Sequence, residues 1–426
     1  MVSFLAELDA RGLLHQTTEG AADHLAKGPV AAYCGFDPTA DSLHVGHLLP
    51  VMTLVHLQRH GHRPVALVGG GTGMIGDPSG KAAERQLLDA GTVAANTRAL
   101  RAQLERFLDF SGPAAARIVD NHEWLGPMAL LDFLRDVGKH FSVNVMLQKE
   151  SVKQRMETGI SFTEFSYQLL QAYDFLQLHE RHGVTLQVGG SDQFGNITAG
   201  TDLIRRVARA EAHGITVPLV TTAAGTKFGK TEAGAVWLDA RRTSPYAFYQ
   251  FWKNAADADA VRWLDAFTLL DATQRADARD ALAANPATRA AQTLLAQDVT
   301  RRVHGAEALR SAELVSGFLF GGVAPQSLDT AALSVLAREV PSAEIRPVHD
   351  GEHAGRLDVY DMLVATKLAD SNGAAKRLMQ QGGVSVNKEK LGADARFLDA
   401  SAVQLADGWV VVGKGKRDYG VVRVLS

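Results

Sequence analysis

Two histidines, His44 and His47, lie one helical turn apart at the start of a predicted helix, where imidazole N–H groups could bind an anion. The apolar run at residues 29–33 predicts a buried strand, and the turn residues Gly35 and Pro38 lead from that strand into the helix. A strand that enters a helix in this way presents backbone N–H groups and the positive end of the helix dipole to a phosphate. Two surface histidines, or half of a metal site, would show the same spacing, so the spacing alone leaves the phosphate role open.

A glycine-rich loop at residues 69–81 follows a second predicted strand and carries further candidates. The loop departs from the dinucleotide-binding fingerprint, because Asp77 and a proline stand where the helix should open. It also departs from the P-loop, because Ile75 replaces the first required glycine. What remains is a loop that places Asp77 at a strand end and carries two cations, Lys81 and Arg85. Alternatively, these two cations lie on the solvent-exposed surface and bind no ligand.

The predicted helix at residues 165–181 carries three polar side chains on an otherwise apolar face. Tyr167, Gln171 and Asp174 are spaced at i, i+4 and i+7, so all three point in one direction. This spacing fits either a partly exposed polar stripe or the wall of a ligand pocket.

Two more polar side chains, Asp192 and Gln193, follow a predicted strand at residues 185–188. Open α/β sheets bind ligands at the carboxyl ends of their strands, so these side chains are candidates for a site. Residues 217–220 are predicted to form the last strand of the set. The loop Lys227-Phe-Gly-Lys-Thr231 comes after it and carries two lysines, which on their own would indicate only solvated surface.

The composition is that of a soluble globular protein with two or three domains, with 46% hydrophobic and 21% charged residues among 426. No apolar run approaches the ~20 residues needed to cross a bilayer, and no signal peptide is indicated at the N-terminus. The single cysteine, Cys34, excludes an intrachain disulfide and fits the reducing cytoplasm. A formal net charge of −3 restricts any nucleic-acid contact to local basic patches.

The alternation of strands and helices predicts an α/β fold with a parallel-sheet domain, followed by a helical domain and a small α+β domain. The expected ranges are a first domain at 1–225 with an insertion at about 112–160, a helical domain with the preceding lysine loop at 226–325, a linker at 326–356 and a last domain at 357–426. Short strands are predicted in the last domain at 384–386, 402–405, 409–412 and 421–425. This domain has ten Lys or Arg against eight Asp or Glu, so it is slightly basic.

Several of these motifs occur together in one known family. His44-Val-Gly-His47 resembles the HIGH signature of class I aminoacyl-tRNA synthetases, and Lys227–Thr231 resembles their KMSKS loop. With Tyr33 and Cys34 ahead of the first signature, the chain resembles the bacterial tyrosyl-tRNA synthetases over almost its full length. Its last domain, with the turn at residues 382–387, is similar to S4-type RNA-binding domains.

The resemblance implies a Rossmann-like catalytic domain, a helical anticodon-binding domain and a two-step reaction. The carboxylate of L-tyrosine attacks the α-phosphate of ATP, pyrophosphate leaves, and the tyrosyl group passes to the terminal ribose of tRNA(Tyr). ATP is a substrate that enters with Mg²⁺, and neither a prosthetic group nor a protein metal site is expected. The family also implies a cytoplasmic homodimer without membrane contact, whose interface is formed mostly by the insertion at about 112–160.

The resemblance also implies roles for individual residues. The residues expected to serve catalysis at the phosphates are Thr39, His44, His47, Lys81, Arg85, Lys227, Lys230 and Thr231. Those expected to bind tyrosine are Tyr33 and Asp174 at the phenol, Asp77, Tyr167 and Gln171 at the ammonium group, and Gln193 near the carboxylate. Those expected to bind ATP are Cys34, Gly35, Asp37, His44, His47, Gly189, Asp192 and Lys230. Those expected to contact RNA are Lys376, Arg377, Asn387, Lys414, Lys416 and Arg417.

Three alternatives share part of this pattern. A tryptophanyl enzyme has the same fold and reaction, but its pocket would not require Tyr33 opposite Asp174. A small nucleotidyltransferase has a similar histidine motif, but it would not need the lysine loop, the helical domain or the S4-like domain. A non-enzymatic RNA-binding relative would not need the activating positions, all of which are present.

Overall fold

The computed structural model describes residues 3–79, 87–156, 159–223, 225, 228–231 and 234–425. Two compact units divide the chain, Met1–Thr243 with Phe251–Val299, and Ser244–Gln250 with Thr300–Ser426. Within the described ranges, no helix is both long enough and apolar enough to span a membrane.

A six-stranded sheet forms the core of the first unit, in the order β1-β6-β5-β2-β3-β4. All neighbours pair in parallel except β1, which is antiparallel to β6. The strands are β1 Gln16–Thr17, β2 Ala31–Phe36, β3 Arg63–Val68, β4 Arg117–Asp120, β5 Val184–Gly190 and β6 His213–Val217. The inner strands are almost entirely apolar and buried, as expected for a parallel sheet covered on both faces.

Helices cover this sheet and continue into an all-helical section. They are α1 Phe4–Ala10, α2 Ala21–Ala26, α3 Leu48–Arg59, α4 Ala90–Leu104, α5 His122–Leu125, α6 Leu130–Asp136, α7 Val143–Leu147, α8 Glu150–Met156, α9 Phe162–His182, α10 Phe194–Val207, α11 Pro245–Lys253, α12 Asp257–Phe267, α13 Ala272–Ala284 and α14 Ala290–His304. The residues of α3 are mostly apolar and buried, which explains its tight packing beside β3. A short antiparallel hairpin, β7 Lys230–Thr231 and β8 Gly234–Ala235, precedes α11.

The strand order places a candidate ligand site at the centre of the sheet. From β2 the chain runs outward through β3 to β4, then crosses to β5 on the other side of β2. Loops that leave β2 and β5 therefore diverge at the carboxyl ends of these strands, and the crevice between them is where open α/β sheets bind ligands.

The second unit is built around a five-stranded sheet in the order β12-β11-β14-β15-β9, with a separate pair β10-β13. Its strands are β9 Ser342–Ile345, β10 Arg356–Asp358, β11 Val384–Val386, β12 Glu389–Lys390, β13 Phe397–Asp399, β14 Trp409–Lys414 and β15 Asp418–Val424. Its further helices are α15 Ala306–Phe320, α16 Thr330–Glu339, α17 Val359–Ala365, α18 Asn372–Gln380 and α19 Ala400–Val403. The segment 326–356 is more structured than a plain connection, because it contributes α16 and a strand that pairs in parallel with β15.

The α/β fold class is confirmed, with its parallel sheet, helical section and small C-terminal α+β part. Two predicted strands are wrong. The last strand of the first sheet is His213–Val217 rather than 217–220, since Pro218 has no N–H to donate to a ladder. Residues 402–405 are not a strand, because Ala400–Val403 form a short helix whose cap Asp399 accepts the Ser401 N–H at 2.9 Å.

Candidate active site

A cavity of ≈ 260 Å³ lies at the carboxyl ends of β2, β3 and β5. It brings together residues that are far apart in the sequence, and most of the small-molecule candidates line it. The lining candidates are Tyr33, Cys34, Gly35, Asp37, Thr39, His47, Asp77, Tyr167, Gln171, Asp174, Gly189, Asp192 and Gln193. His44 is not among the lining residues, although it neighbours His47.

Tyr33 lies deep in this cavity with its hydroxyl group unsatisfied. The residue is 1% exposed, its ring meets Phe175 edge-on at a centroid distance of 5.1 Å, and its hydroxyl has no hydrogen-bond partner among the residues that the structure describes. A buried polar group without a partner costs about 1–3 kcal/mol. Its presence in a ligand-sized cavity indicates that a ligand supplies the missing partner.

Asp174 is the second polar group in this deep part of the cavity. It accepts hydrogen bonds from Trp124 Nε1 at 2.7 Å and from Asn121 Nδ2 at 2.9 Å. Burial nevertheless raises the pKa of Asp174 to about 8, and burial together with the nearby Asp174 charge raises the pKa of Tyr33 well above its usual range. The two groups therefore lie in the same cavity, close enough for the charge of Asp174 to act on the Tyr33 hydroxyl.

Nothing in the sequence analysis singled out Asn121 or Trp124. Asn121 follows directly on the last residue of β4, so the rule that selected the other strand ends could have found it. Trp124 carried no comparable signal, because its indole reaches Asp174 from a short helix 50 positions away in the chain.

A connected set of carboxylate and amide groups forms a second wall. Asp77 accepts the Gln193 Nε2–H at 2.7 Å and the Ser79 N–H at 2.9 Å. Burial, and then the charge of Asp37, raise the pKa of Asp77 to about 6 against the lowering effect of these hydrogen bonds.

The amide groups order one another beside Asp77. Gln171 donates to Gln193 Oε1 at 3.2 Å, and Asn196, one turn beyond Gln193, donates to Gln171 Oε1 at 2.9 Å. Since each amide is fixed by another, the cavity presents defined donors and acceptors before any ligand binds. Asn196 is a member of this network that the sequence analysis did not identify.

Tyr167 is hydrogen-bonded within the protein. Its hydroxyl donates to Asp37 Oδ2 at 2.8 Å, while Thr72 Oγ1 donates to Asp37 Oδ1 at 2.8 Å. A Cβ at Gly69 would lie 2.2 Å from Asp37 Oδ1, so a glycine is required for this arrangement. Tyr167 therefore positions Asp37, and its hydroxyl oxygen retains only its accepting capacity for a ligand.

His44 and His47 form a stacked pair on a 3₁₀ turn, Val45–His47. Their ring centroids are 4.0 Å apart; Nδ1 of His44 accepts the Gly46 N–H at 3.0 Å, and Nδ1 of His47 accepts the His44 N–H at 3.2 Å. Because both Nδ1 atoms are acceptors, each neutral ring carries its proton on Nε2. A Cβ at Gly46 would lie 2.7 Å from the His44 ring, which explains the glycine in the motif.

The lysine loop lies beside this turn where the structure describes it. The Val45 N–H donates to the carbonyl of Val236 at 2.9 Å, and the Val236 N–H donates to the carbonyl of Gly229 at 3.0 Å. Lys81, Arg85 and Lys227 lie outside the described residues. For Lys230 and Thr231 the structure describes the backbone strand β7 and not the side chains.

Three further residues that line the cavity, Cys34, Gly35 and Gly189, differ in their surroundings. Burial raises the pKa of the Cys34 thiol to about 12, which keeps it a neutral thiol. A Cβ at Gly189 would lie 3.0 Å from Cβ of Gln193, whereas one at Gly35 would meet no atom within 4 Å. Among the described residues, no group of three or more His, Cys, Asp or Glu side chains is arranged to hold a metal ion.

The basic candidates of the second unit lie on its surface. Arg377 of α18 and Lys414 of β14 line one shallow cavity of ≈ 200 Å³, and Lys376 is exposed beside Arg377. Lys416 and Arg417 are exposed in the turn between β14 and β15.

Asn387 differs from the other RNA candidates because its side chain is buried. Its amide donates to the Val403 carbonyl at 2.6 Å and accepts the Val411 N–H at 3.0 Å. With a φ of 49°, it also holds a backbone conformation that asparagine tolerates better than most residues. Asn387 therefore fixes the turn after β11.

Comparisons with known proteins show the family to which the chain belongs. A family model described as class I tRNA synthetases (W and Y) matches residues 25–320, and one described as the tyrosine–tRNA ligase SYY-like C-terminal domain matches residues 333–422. The chain is 52% identical over 425 residues to a tyrosine–tRNA ligase of Anaeromyxobacter dehalogenans, covering 100% of both chains. It is 49% identical over 426 residues to that of Geobacillus stearothermophilus, covering 99% of this chain and 100% of the relative.

A solved structure shows the same relationship. The C-terminally truncated mitochondrial tyrosyl-tRNA synthetase of Aspergillus nidulans superposes with a TM-score of 0.68 and 30% identity, covering 75% of this chain and 95% of that one. The family models together match residues 25–320 and 333–422, and the curated relatives match over almost the full length of both chains. The chain belongs to the tyrosine–tRNA ligase family of class I aminoacyl-tRNA synthetases.

Proposed function

We propose that the chain activates L-tyrosine with ATP at the described cavity and then transfers the tyrosyl group to the 3′ end of tRNA(Tyr). The observation that carries the proposal is the unsatisfied hydroxyl of Tyr33 next to the buried carboxyl of Asp174. A phenol can accept from one group and donate to the other at the same time. The phenol of L-tyrosine can therefore hydrogen-bond to both the Tyr33 hydroxyl and the Asp174 carboxyl, whereas phenylalanine would leave both groups unpaired.

The tryptophanyl alternative is not favoured. An indole N–H only donates, so it cannot satisfy a donor and an acceptor together as a phenol does. The curated relatives that match the whole chain are tyrosine–tRNA ligases, and their C-terminal domain type is present here. The same matches argue against a small nucleotidyltransferase and against a non-enzymatic RNA-binding relative.

The α-amino and carboxylate groups of the substrate fit the amide-lined wall. Asp77 as a carboxylate binds the ammonium group, with oxygens of Gln171 and Tyr167 as further acceptors. Gln193 lies next to Asp77 and faces the substrate carboxylate. Because the amides already fix one another, the carboxylate oxygen is held in one orientation toward ATP, which supplies part of the rate acceleration.

The nucleotide occupies the remainder of the cavity. We assign the ribose and adjacent groups to the edge formed by Cys34, Gly35, Asp37, Gly189 and Asp192. Mg²⁺ enters with ATP, coordinated mainly by phosphate oxygens as is common for this ion.

The activation step forms a bond between a carboxylate oxygen of tyrosine and the α-phosphorus, while the bond from that phosphorus to the bridging oxygen breaks. The electron pair of the broken bond leaves with pyrophosphate, so negative charge grows on the leaving phosphates. The N–H groups of His44 and His47 and the hydroxyl of Thr39 stabilise that charge. We assign the same task to Lys81, Arg85, Lys227, Lys230 and Thr231 by family resemblance.

The surface of the insertion supports a homodimer. Large apolar side chains are exposed in it, including Leu130 at 71% and Leu131 at 76%, and Phe162, which follows the insertion at the start of α9, is 78% exposed. An exposed apolar surface of this kind indicates a protein–protein interface. We propose that a second copy of the chain covers it.

The basic surface of the second unit supports tRNA contact through Lys376, Arg377, Lys414, Lys416 and Arg417, with Asn387 shaping the adjoining turn. The helical section at 245–320 would receive the anticodon stem. Since tRNA charging takes place in the cytoplasm and the one cysteine needs no oxidising compartment, we place the enzyme there.

Amino-acid-dependent ATP–pyrophosphate exchange tests the reaction and the pocket together. Wild type should exchange with tyrosine and not with phenylalanine or tryptophan. Asp174→Ala should lose tyrosine exchange by about 100-fold or more, because the phenol loses a buried hydrogen-bond partner and a cavity replaces the carboxyl group. Exchange with tryptophan would overturn the substrate, and exchange with none of the three would overturn the activity.

Tyrosine affinity should depend on pH through Asp77. Its pKa is raised to about 6, so below that pH the carboxyl group is neutral and cannot pair with the ammonium group. We expect the dissociation constant for tyrosine, measured by calorimetry, to rise about tenfold per pH unit below 6 and to level off above pH 7. Asp77→Asn should bind weakly with a flat profile over this range, and His47→Asn should retain the dependence. A wild-type profile that is flat between pH 5 and 7 would contradict the assignment.

Phe162→Asp should convert the dimer to monomers, because a charge buried in an apolar interface is costly to desolvate. The molar mass is measured by light scattering after size exclusion. Phe320→Asp is the matched control, since Phe320 is 76% exposed but lies in the second unit. A monomeric wild type, or a Phe162→Asp variant that remains dimeric, would refute the proposed interface.

The double variant Lys416→Gln/Arg417→Gln should weaken tRNA binding without changing tyrosine activation. If both cations contact phosphates, the slope of log Kd against log salt concentration should fall by about 2. Arg346→Gln, another exposed cation of the same unit, should leave that slope unchanged. An unaltered slope in the double variant would remove this turn from the tRNA-binding surface.

A further inference from the structure

Phe228 is a loop residue whose side chain is packed like a core residue. It belongs to an aromatic cluster that consists of Phe228, Phe251, Trp252, Trp263 and Phe267. Its ring stacks on Phe267 at a centroid distance of 5.0 Å and an angle of 13°, and meets Trp263 edge-on at 4.8 Å. Phe228 is only 9% exposed. The other four rings belong to α11 and α12, so this one side chain ties the loop to the helical section.

The next residue, Gly229, lies against the histidine motif. Its φ is +77°, and a Cβ there would be 2.5 Å from Cγ2 of Val45, the residue between His44 and Gly46. The Gly229 carbonyl also accepts the Val236 N–H, whose own carbonyl accepts the Val45 N–H. Two consecutive residues of the loop are thus fixed in different ways, one by its ring and one by its backbone.

The strand β7, Lys230–Thr231, begins immediately after this pair. Its backbone position relative to His44 and His47 is therefore determined by where Phe228 and Gly229 sit. Gly229 by itself has no side chain with which to resist displacement. The aromatic cluster supplies that resistance, because moving Phe228 would break stacked and edge-to-face contacts with several rings at once.

We propose that Phe228 is a positioning residue for the activation step: its packing in the aromatic cluster sets the distance of the strand that carries Lys230 and Thr231 from the histidine motif. This inference rests on the proposed function, since it concerns the same reaction. Phe228 itself does not line the cavity. Its effect should therefore be on turnover, because stabilisation of the leaving phosphates depends on the placement of donors to within about 1 Å.

Phe228→Ala tests the inference by separating binding from turnover. The number of tyrosine sites per chain and the dissociation constant for tyrosine, both from equilibrium dialysis, should remain within about twofold of wild type. The maximal rate of tyrosine-dependent ATP–pyrophosphate exchange per site should fall between about 10- and 100-fold. Phe228→Met, which keeps an apolar side chain of similar length, should recover part of that rate.

Leu264→Ala is the matched control for general loss of packing. Leu264 is fully buried on α12, the helix that carries Trp263 and Phe267, but it is not a member of the aromatic cluster. This variant should lower the melting temperature while leaving the exchange rate per tyrosine site near that of wild type. A rate per site that is unchanged in Phe228→Ala, or lowered equally in Leu264→Ala, would overturn the inference. A wild type without tyrosine-dependent exchange would instead overturn the proposed function.

Discussion

The physical constraint on which the site depends is the burial of polar groups whose hydrogen bonding is incomplete without a ligand. The hydroxyl of Tyr33 has no partner among the described residues, and burial raises the pKa of Asp174 to about 8, which favours its neutral form in the ligand-free protein. Both are costly for folding, and the protein bears that cost because the surrounding α/β core is large and apolar. In the function we propose, a ligand with a phenol relieves both costs at once. Selectivity for tyrosine would then follow from the free-energy penalty of leaving these buried groups unpaired with any other side chain.

The fold makes this arrangement possible through the strand order of the first sheet. Loops diverge at the carboxyl ends of β2 and β5, so side chains separated by more than 100 positions meet there; the Tyr167–Asp37 hydrogen bond joins residues 130 positions apart. Glycines occupy places where a side chain would collide with functional groups, as Gly69 does beside Asp37 and Gly46 beside the His44 ring. These glycines and the hydrogen-bonded amides therefore fix the positions of the polar groups that line the cavity.

Much of the architecture could be predicted because its causes are local. Apolar runs predict the inner strands, and the rule that ligands bind at strand ends selects Asp77 and Asp192 from the sequence alone. What the sequence could not reveal has tertiary causes. The hydroxyl of Tyr167 donates to Asp37, and the side chain of Asn387 bonds to the backbone of its own domain, and residue spacing predicts neither contact. Trp124 was missed for the same reason, since its only signal is its contact with Asp174.

The most direct test of the central claim is the equilibrium affinity of L-tyrosine and L-phenylalanine for wild type and Tyr33→Phe, measured by calorimetry at one pH. Loss of the Tyr33 hydroxyl should weaken tyrosine binding by about tenfold or more, since a hydrogen bond to the phenol is lost. The affinity for phenylalanine should stay the same or increase, because phenylalanine cannot hydrogen-bond to the Tyr33 hydroxyl and the variant no longer has that buried group. An equal loss of affinity for both amino acids would show that the hydroxyl serves the structure of the pocket rather than the recognition of a phenol, and would contradict the account.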